Sequence, residues 1–425
     1  MSLLKRMIKK LHLVRSQINR ILFYKIVTFL IIVSTIYNYF HTINKYSVNF
    51  PLADDYDAIL VFLNSWEENN SKISLLFSQH NEHRLGFLRV IVWLYYKMFS
   101  SINFTNLILL GNSLQILLLV IFYKSTNDKR KFILIFPIFF LILNSSHWET
   151  QSWAMGSLSV YSVLVFAFFS LYLINKAETS YFILGIFFAF LSTYSQANGI
   201  FVFISGIILL LKNKSRLILW LVSGMVVVFI YFYLFPYQRV VHHPMILFKL
   251  DKVFLINRFF YGLTLLSSVF HSKFILVLGV IPLVLIFYIF KNFLLFSRLH
   301  IAMLLFLLIS FGSLTISRDG FGYEQAFSSR YQFNTVVLYS VIYLGFLPFI
   351  KVKKHLFLIL LFSGMFYLNS NIYNMNNFFI RKNEILEDKI CKDKCSKYKT
   401  YPNDIHAANV LSTSMTKGIF ISSGK

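Results

Sequence analysis

The sequence predicts an all-α polytopic membrane protein, and three observations carry that prediction. Of the 425 residues, 57% are hydrophobic and only 14% charged. Apolar runs of roughly 17 to 25 residues recur from end to end, the length that crosses a bilayer as a helix. The loops between these runs are short and basic. No soluble domain hides 49 Phe and 25 Tyr at a mean hydropathy of +0.65, and 16 Gly with 7 Pro exclude a collagen-like or disordered chain. A formal charge of +24 would suit nucleic acid. Here the Lys and Arg sit mostly at the ends of apolar runs, where they set orientation against anionic lipid, so membrane lipid is an expected partner and nucleic acid is not.

Residues 1–20 carry Lys5, Arg6, Lys9, Lys10, Arg15 and Arg20 between apolar positions at helical spacing, which predicts an amphipathic basic helix on the cytoplasmic leaflet. The first span, about Ile21 to Phe40, lacks a small-residue cleavage site after it and stays as an anchor. Further spans are expected near 104–123, 132–146, 153–174, 180–195, 198–211, 217–235, 274–290, 300–316, 332–349 and 355–370. The basic loops Lys124 to Lys131, Lys212 to Arg216, Lys291 to Arg298 and Lys351 to Lys354 belong in the cytoplasm. That assignment is self-consistent if the weaker segments 84–99 and 254–270 lie in the interface or re-enter, which gives about eleven crossings; if both cross, the count is about thirteen. The multi-span domain then runs over 21–370, with a first outer loop, 41–84, that carries short interfacial helices, and a polar tail, 371–425, outside. The tail holds the only cysteines, Cys391 and Cys395, open to a small-loop disulfide or to a reduced pair.

With eleven crossings every unusual polar motif falls on the outer face. The densest is Pro51-Leu-Ala-Asp-Asp-Tyr-Asp57, followed by Gln79-His-Asn-Glu-His-Arg84. Ionisable residues beside hydrocarbon are costly, and such a cluster marks a functional site. Adjacent carboxylates raise each other's proton affinity, which suits Asp54 or Asp55 as a general base for a sugar hydroxyl; a helix cap near Tyr56 is the plainer use of one of them. Arg84 leads into apolar residues and is expected to meet an anion such as a lipid-linked phosphate. His80, Asn81, Glu82 and His83 are candidate substrate contacts. No cofactor is expected; His80, Glu82 and His83 with the Asp pair make only a weak pattern for a divalent metal.

His147-Trp-Glu-Thr-Gln-Ser-Trp153 offers a sugar shelf of Trp148, Glu149 and Gln151, or merely interfacial Trp anchors. Gln196 and Asn198 break an apolar stretch as a turn facing the same side. Pro236-Tyr-Gln-Arg-Val-Val-His-His-Pro244 belongs to that face as well. Arg318 and Arg330 bracket a loop with Gly320 and Gly322, and Arg330-Tyr331 opens a span, so guanidinium and helix N-terminus together make an anion site. Snorkelling to lipid headgroups is the plainer reading of these arginines.

A first span, an outer loop opening with adjacent acids, many further spans and late outer-loop arginines resemble the polytopic glycosyltransferases of the C superfamily. More narrowly, Asp54-Asp-Tyr56, Asn81-Glu-His-Arg84, Gln196-Ala-Asn-Gly199 and Ser329-Arg-Tyr331 are similar to bacterial membrane sugar transferases of surface polysaccharide. The resemblance covers about residues 50 to 335 and implies a polyprenyl-phosphate sugar donor, a glycan or glycolipid acceptor, and Asp54 or Asp55 as base. The Lys-, Ile-, Asn- and Phe-rich composition suggests a bacterial inner or plasma membrane, and the eleven-crossing topology puts the active site on the extracytoplasmic face. The chain lacks that superfamily's large soluble outer domain. An O-antigen-type polymerase, a flippase or transporter, and an acyltransferase using His80 or His83 are the competing readings.

Overall fold

The computed structural model describes residues 2–235, 237–238, 252–270, 275–350, 353–392, 395 and 397–421. Almost all of them are helical. The main helices are α1 (Ser2–Tyr46), α2 (Gly86–Phe99), α3 (Phe104–Ser125), α4 (Lys131–Ile142), α5 (Ala154–Ile174), α6 (Thr179–Thr193), α7 (Ala197–Leu210), α8 (Lys214–Leu234), α9 (Lys252–Ser267), α10 (Leu276–Lys291), α11 (Arg298–Arg318), α12 (Ser329–Phe349), α13 (Lys353–Cys391) and α14 (Asp404–Thr416). The described residues form a single sheet, a hairpin of β1 (Gln79–His80) and β2 (His83–Arg84). Among the described residues seven helices are long and apolar enough to cross a membrane: α1, α3, α5, α8, α11, α12 and α13. Four more, α4, α6, α7 and α10, are apolar but shorter.

Polar residues between apolar runs set where the helices begin. The side chains of Asn103, Asn213 and Asn403 accept backbone N–H groups from the first turns of α3, α8 and α14, satisfying donors that have no partner within the helix. Burial then sorts the helices. α5 is apolar on all sides and almost wholly buried, so it forms the axis of the bundle, whereas α13 is mostly exposed and lies on the outside. α3 and α6 flank α5. Gly111 of α3 lies against Ser157 of α5, where a Cβ would have no room; such small-residue contacts let helices approach closely when no hydrophobic force drives them together.

Irregular segments collect at the two ends of the bundle. At one end Arg216 donates to the carbonyl oxygens of Lys176 (3.0 Å) and Ala177 beyond α5, and His300 at the start of α11 meets Ser125 at the end of α3 at 3.4 Å. At the other, Phe87 N–H bonds the Tyr194 carbonyl at 3.0 Å and Ile102 N–H bonds the Ile419 carbonyl at 2.8 Å. α2 therefore begins and ends against loops of the same end and does not run through the bundle. α9 packs its C-terminal turns on α12, where Thr335 donates to the Leu265 carbonyl at 2.8 Å.

Two boundaries differ from the sequence expectation. The basic stretch 1–20 is not a separate helix but the front of α1, whose 45 residues run unbroken. Likewise α13 continues past 370 to Cys391, because nothing in Asn371 to Glu387 stops a helix. At about 1.5 Å per residue both exceed the roughly 30 Å hydrocarbon core. After α13, Cys391 and Cys395 are joined as a disulfide. The remaining tail folds back onto the first loop, with Tyr401 Oη donating to Asp57 at 2.6 Å, His406 Nε2 at 2.7 Å from Asp57, and Lys417 Nζ donating to the Asn64 carbonyl at 2.7 Å.

Replacing Gly111 by Val should force α3 off α5 and cost about 1–3 kcal/mol. Gly312→Ala on α11, where a Cβ meets nothing within 4 Å, should be neutral or stabilising by up to about 1 kcal/mol. Thermal unfolding of the two purified variants in one detergent checks the contrast.

Candidate active site

A cavity of about 540 Å³ opens at the end of the bundle opposite the basic loops. Its wall brings together residues far apart in sequence: Asp54, then Asn81, Glu82 and His83, then Gln196 and Asn198, and finally Arg318, Arg330 and Tyr331.

Asp54 sits on a tight turn in which Asp55 N–H bonds the Leu52 carbonyl at 3.0 Å. The residue before it, Ala53, has φ +50°, a left-handed conformation that L-residues other than Gly and Asn adopt at a cost. The Asp54 side chain is 37% exposed, and His80 Nε2 lies 3.9 Å from its Oδ2. His80 thus flanks the base candidate without forming part of the wall. The β1–β2 hairpin turns on Asn81 and Glu82. Asn81 has φ +49°, which its short amide tolerates and a two-residue hairpin loop favours. This turn delivers Glu82 and His83 to the cavity.

Glu82 and Arg318 form an ion pair at 2.5 Å across the cavity. Ala197 N–H donates to His83 Nδ1 at 3.3 Å, so the proton of the neutral ring lies on Nε2, 3.8 Å from Glu82. Burial pulls the His83 imidazole below its ordinary value, and the ring is neutral at physiological pH. Arg330 is exposed and donates through Nε to Ser328 Oγ at 3.1 Å. The Gln196–Asn198 turn is closed by Gly199, where a Cβ would collide with the Ser192 carbonyl. Asn198 Nδ2 donates to Ser310 Oγ at 3.4 Å, while its Oδ1 has no partner among the described residues.

Several expected ligands are turned elsewhere. Asp55 is 1% exposed; its Oδ1 accepts Met155 N–H at 2.8 Å and its Oδ2 accepts Leu52 N–H at 3.1 Å, so it caps α5 from within. Burial pushes its carboxyl up to about 8, against the two N–H groups that favour the charge. Asp55 is therefore a structural acid, not an alternative base. Arg84 is likewise corrected. It is 1% exposed and gives Nε to the Tyr231 carbonyl (2.7 Å), Nη1 to Phe77 (2.6 Å) and Nη2 to Phe235 (2.9 Å). A guanidinium wrapped in carbonyls is a clamp on the β-hairpin and the end of α8, not a phosphate ligand.

The proposed Trp148–Glu149–Gln151 shelf does not face the cavity either. Trp148 stacks against the Arg381 guanidinium at 5.3 Å, Glu149 accepts from Ser328 and Ser329 at the start of α12 (3.2 and 3.1 Å), and Gln151 is buried, donating to the Asn144 carbonyl at 2.7 Å. In their place the cavity uses Thr150 and Trp153, whose Oγ1 and Nε1 have no partner among the described residues. It also uses Ser310, Ser313 and Ser317 of α11. Their spacing of three and four is a polar stripe on an apolar helix and was readable. Of the Pro236 to Pro244 motif only Tyr237 and Gln238 are described; Tyr237 lines the cavity. Among the described residues no three His, Cys, Asp or Glu side chains gather as a metal site would require.

No protein family, no curated protein and no solved structure matches the chain.

Arg84→Met should leave three carbonyls without their donor and lower stability by about 3 kcal/mol. Asp55→Asn should cost about 1–2 kcal/mol through the lost cap, while Asp54→Asn, which satisfies no backbone group of α5, should unfold like the wild type. Denaturation midpoints of the three variants in detergent separate structural charges from the open one.

Proposed function

We propose that the chain is an integral-membrane glycosyltransferase of the plasma membrane of a bacterium, moving a sugar from a polyprenyl-phosphate donor to a hydroxyl of a surface glycan or glycolipid. The observation that carries this reading is the meeting of one open carboxylate, Asp54, with Arg318 and Arg330 in one cavity at the end of an apolar bundle. Such a cavity pairs a base with cations where a lipid-borne anion arrives.

The chemistry asked of it is a single displacement. Asp54 takes the proton of the acceptor hydroxyl, the acceptor oxygen bonds to the anomeric carbon, and the bond from that carbon to the phosphate oxygen breaks with its electron pair leaving on polyprenyl phosphate. Arg330 and Arg318 balance that charge, Arg318 being held in place by Glu82. The neutral His83, Gln196, Asn198 and Tyr331 offer hydrogen bonds to sugar hydroxyls, and Trp153 offers a ring face with an N–H at its edge. Inversion at the anomeric carbon follows from one-step attack.

The same reading takes α1, α3 to α8 and α10 to α13 as eleven crossings, with α2 and α9 not crossing, the N-terminus cytoplasmic and the cavity extracytoplasmic. Three features support it. The tail after α13 docks on the loop after α1, which requires an odd number of crossings. α2 returns to the end where it began. The basic loops Lys124 to Lys131, Lys212 to Arg216 and Lys291 to Arg298 contribute nothing to the cavity wall, and the orientation rule puts them in the cytoplasm.

The test is transfer by the purified protein from defined donors, with the product lipid identified. Asp54→Asn should lower kcat about a hundredfold or more, and Arg330→Ala should raise the donor KM roughly tenfold. Consumption of a lipid-diphosphate oligosaccharide in place of a polyprenyl-phosphate sugar would identify a polymerase instead. Full turnover in Asp54→Asn would remove the base.

A further inference from the structure

We propose that Asp388, near the C-terminal end of α13, is a positioning residue for Asp54 and acts on it through the backbone of Thr400 and Ala53; the catalytic half of this inference rests on the function proposed above. Asp388 is 2% exposed. A carboxylate this buried is costly unless its oxygens are fully hydrogen-bonded. Its oxygens are satisfied by the tail: Lys399 N–H reaches both at 3.0 Å, and Thr400 gives its N–H at 2.8 Å and its hydroxyl at 2.6 Å. Lys399 sends its own ammonium elsewhere, to Glu387. Asp388 is thus used to shape a segment of backbone.

The consequence of that shape lies one residue from the cavity. Thr400, itself buried, presents its carbonyl to Ala53 N–H at 2.9 Å. Ala53 is the residue held at φ +50°. On its other side the turn is tied by Asp55 to Leu52 and to the start of α5. Two buried carboxylates, one from the first loop and one from the far end of the chain, therefore grip the turn whose tip is Asp54. An alanine does not keep a left-handed conformation without such a grip, since its Cβ disfavours that region. The tail has further attachments, Tyr401 and His406 on Asp57 and Lys417 on the Asn64 carbonyl, so loss of Asp388 leaves it docked and releases only the turn.

The experiment uses the full-length protein in detergent or nanodiscs. Hydrogen exchange at the Ala53 amide reads the grip without any activity, and turnover with a polyprenyl-phosphate sugar reads its effect on Asp54. Asp388→Asn should speed Ala53 exchange at least about tenfold and lower kcat about tenfold at an unchanged donor KM. Adding Ala53→Gly should return kcat to within about threefold of wild type, because glycine takes a positive φ freely. A residue with a merely structural role would not be rescued in this way. If Asp388→Asn does not fold, Thr400→Val, which removes one donor, should show smaller shifts in the same directions. Unchanged Ala53 exchange, or a kcat loss that Ala53→Gly does not relieve, overturns the proposal. If the intact protein transfers no sugar, the glycosyltransferase reading fails, and exchange alone then decides whether Asp388 holds the turn.

Discussion

A chain surrounded by hydrocarbon must pair its backbone N–H and C=O groups internally, and the rest of this structure follows from how it does so. Helices meet the demand by themselves along the bundle. At the cavity end, where the first loop, the hairpin, the α6–α7 turn and the tail leave the helical pattern, buried polar side chains meet it. Arg84 collects three carbonyls, Asp55 two N–H groups, and Asp388 two N–H groups with a hydroxyl. A buried polar group in such a position is stable because backbone dipoles replace the water it lost. It also fixes the loop that carries those dipoles, so irregular backbone at the cavity is not loose backbone.

Once these charges are accounted for, the ones left facing the cavity stand out. Among the described residues the side chains of Asp54, Arg318 and Arg330 bond no backbone group, and with Glu82 they open onto shared space with His83 and two amides. The contrast between Asp54 and Asp55 is the sharpest case. Neighbours in sequence, they point to opposite surroundings because a tight turn sends one to α5 and the other to the cavity. The first loop and the C-terminal tail depend on each other in the same way: Asp57 receives Tyr401 and His406, and Ala53 leans on Thr400.

Much of this arrangement was legible in the residues. Apolar length marked the helices; the asparagines that cap α3, α8 and α14 stood beside them and were overlooked. Asn81, Glu82, His83, Gln196, Asn198, Arg318, Arg330 and Tyr331 were found because polar groups in an apolar sequence are rare and costly. The serine stripe on α11 was present in the spacing and was overlooked. The errors share one cause. Trp148, Glu149 and Gln151 were read by residue type, yet a four-residue helix turns three of them away and leaves Thr150 and Trp153 on the wall. Arg84 was read as reaching for an anion, since a local pattern does not reveal that the distant end of α8 would offer it carbonyls.

The sequence alone determined that this is a helical protein with helices suited to a membrane, and which residues are too polar to lie there idly, because transfer energies and helix length depend on composition and local order. Only the tertiary structure decided which of those residues face a common cavity and which are spent on the scaffold. A charge takes its role from the partners that surround it, and here those partners come from up to some 350 positions away along the chain.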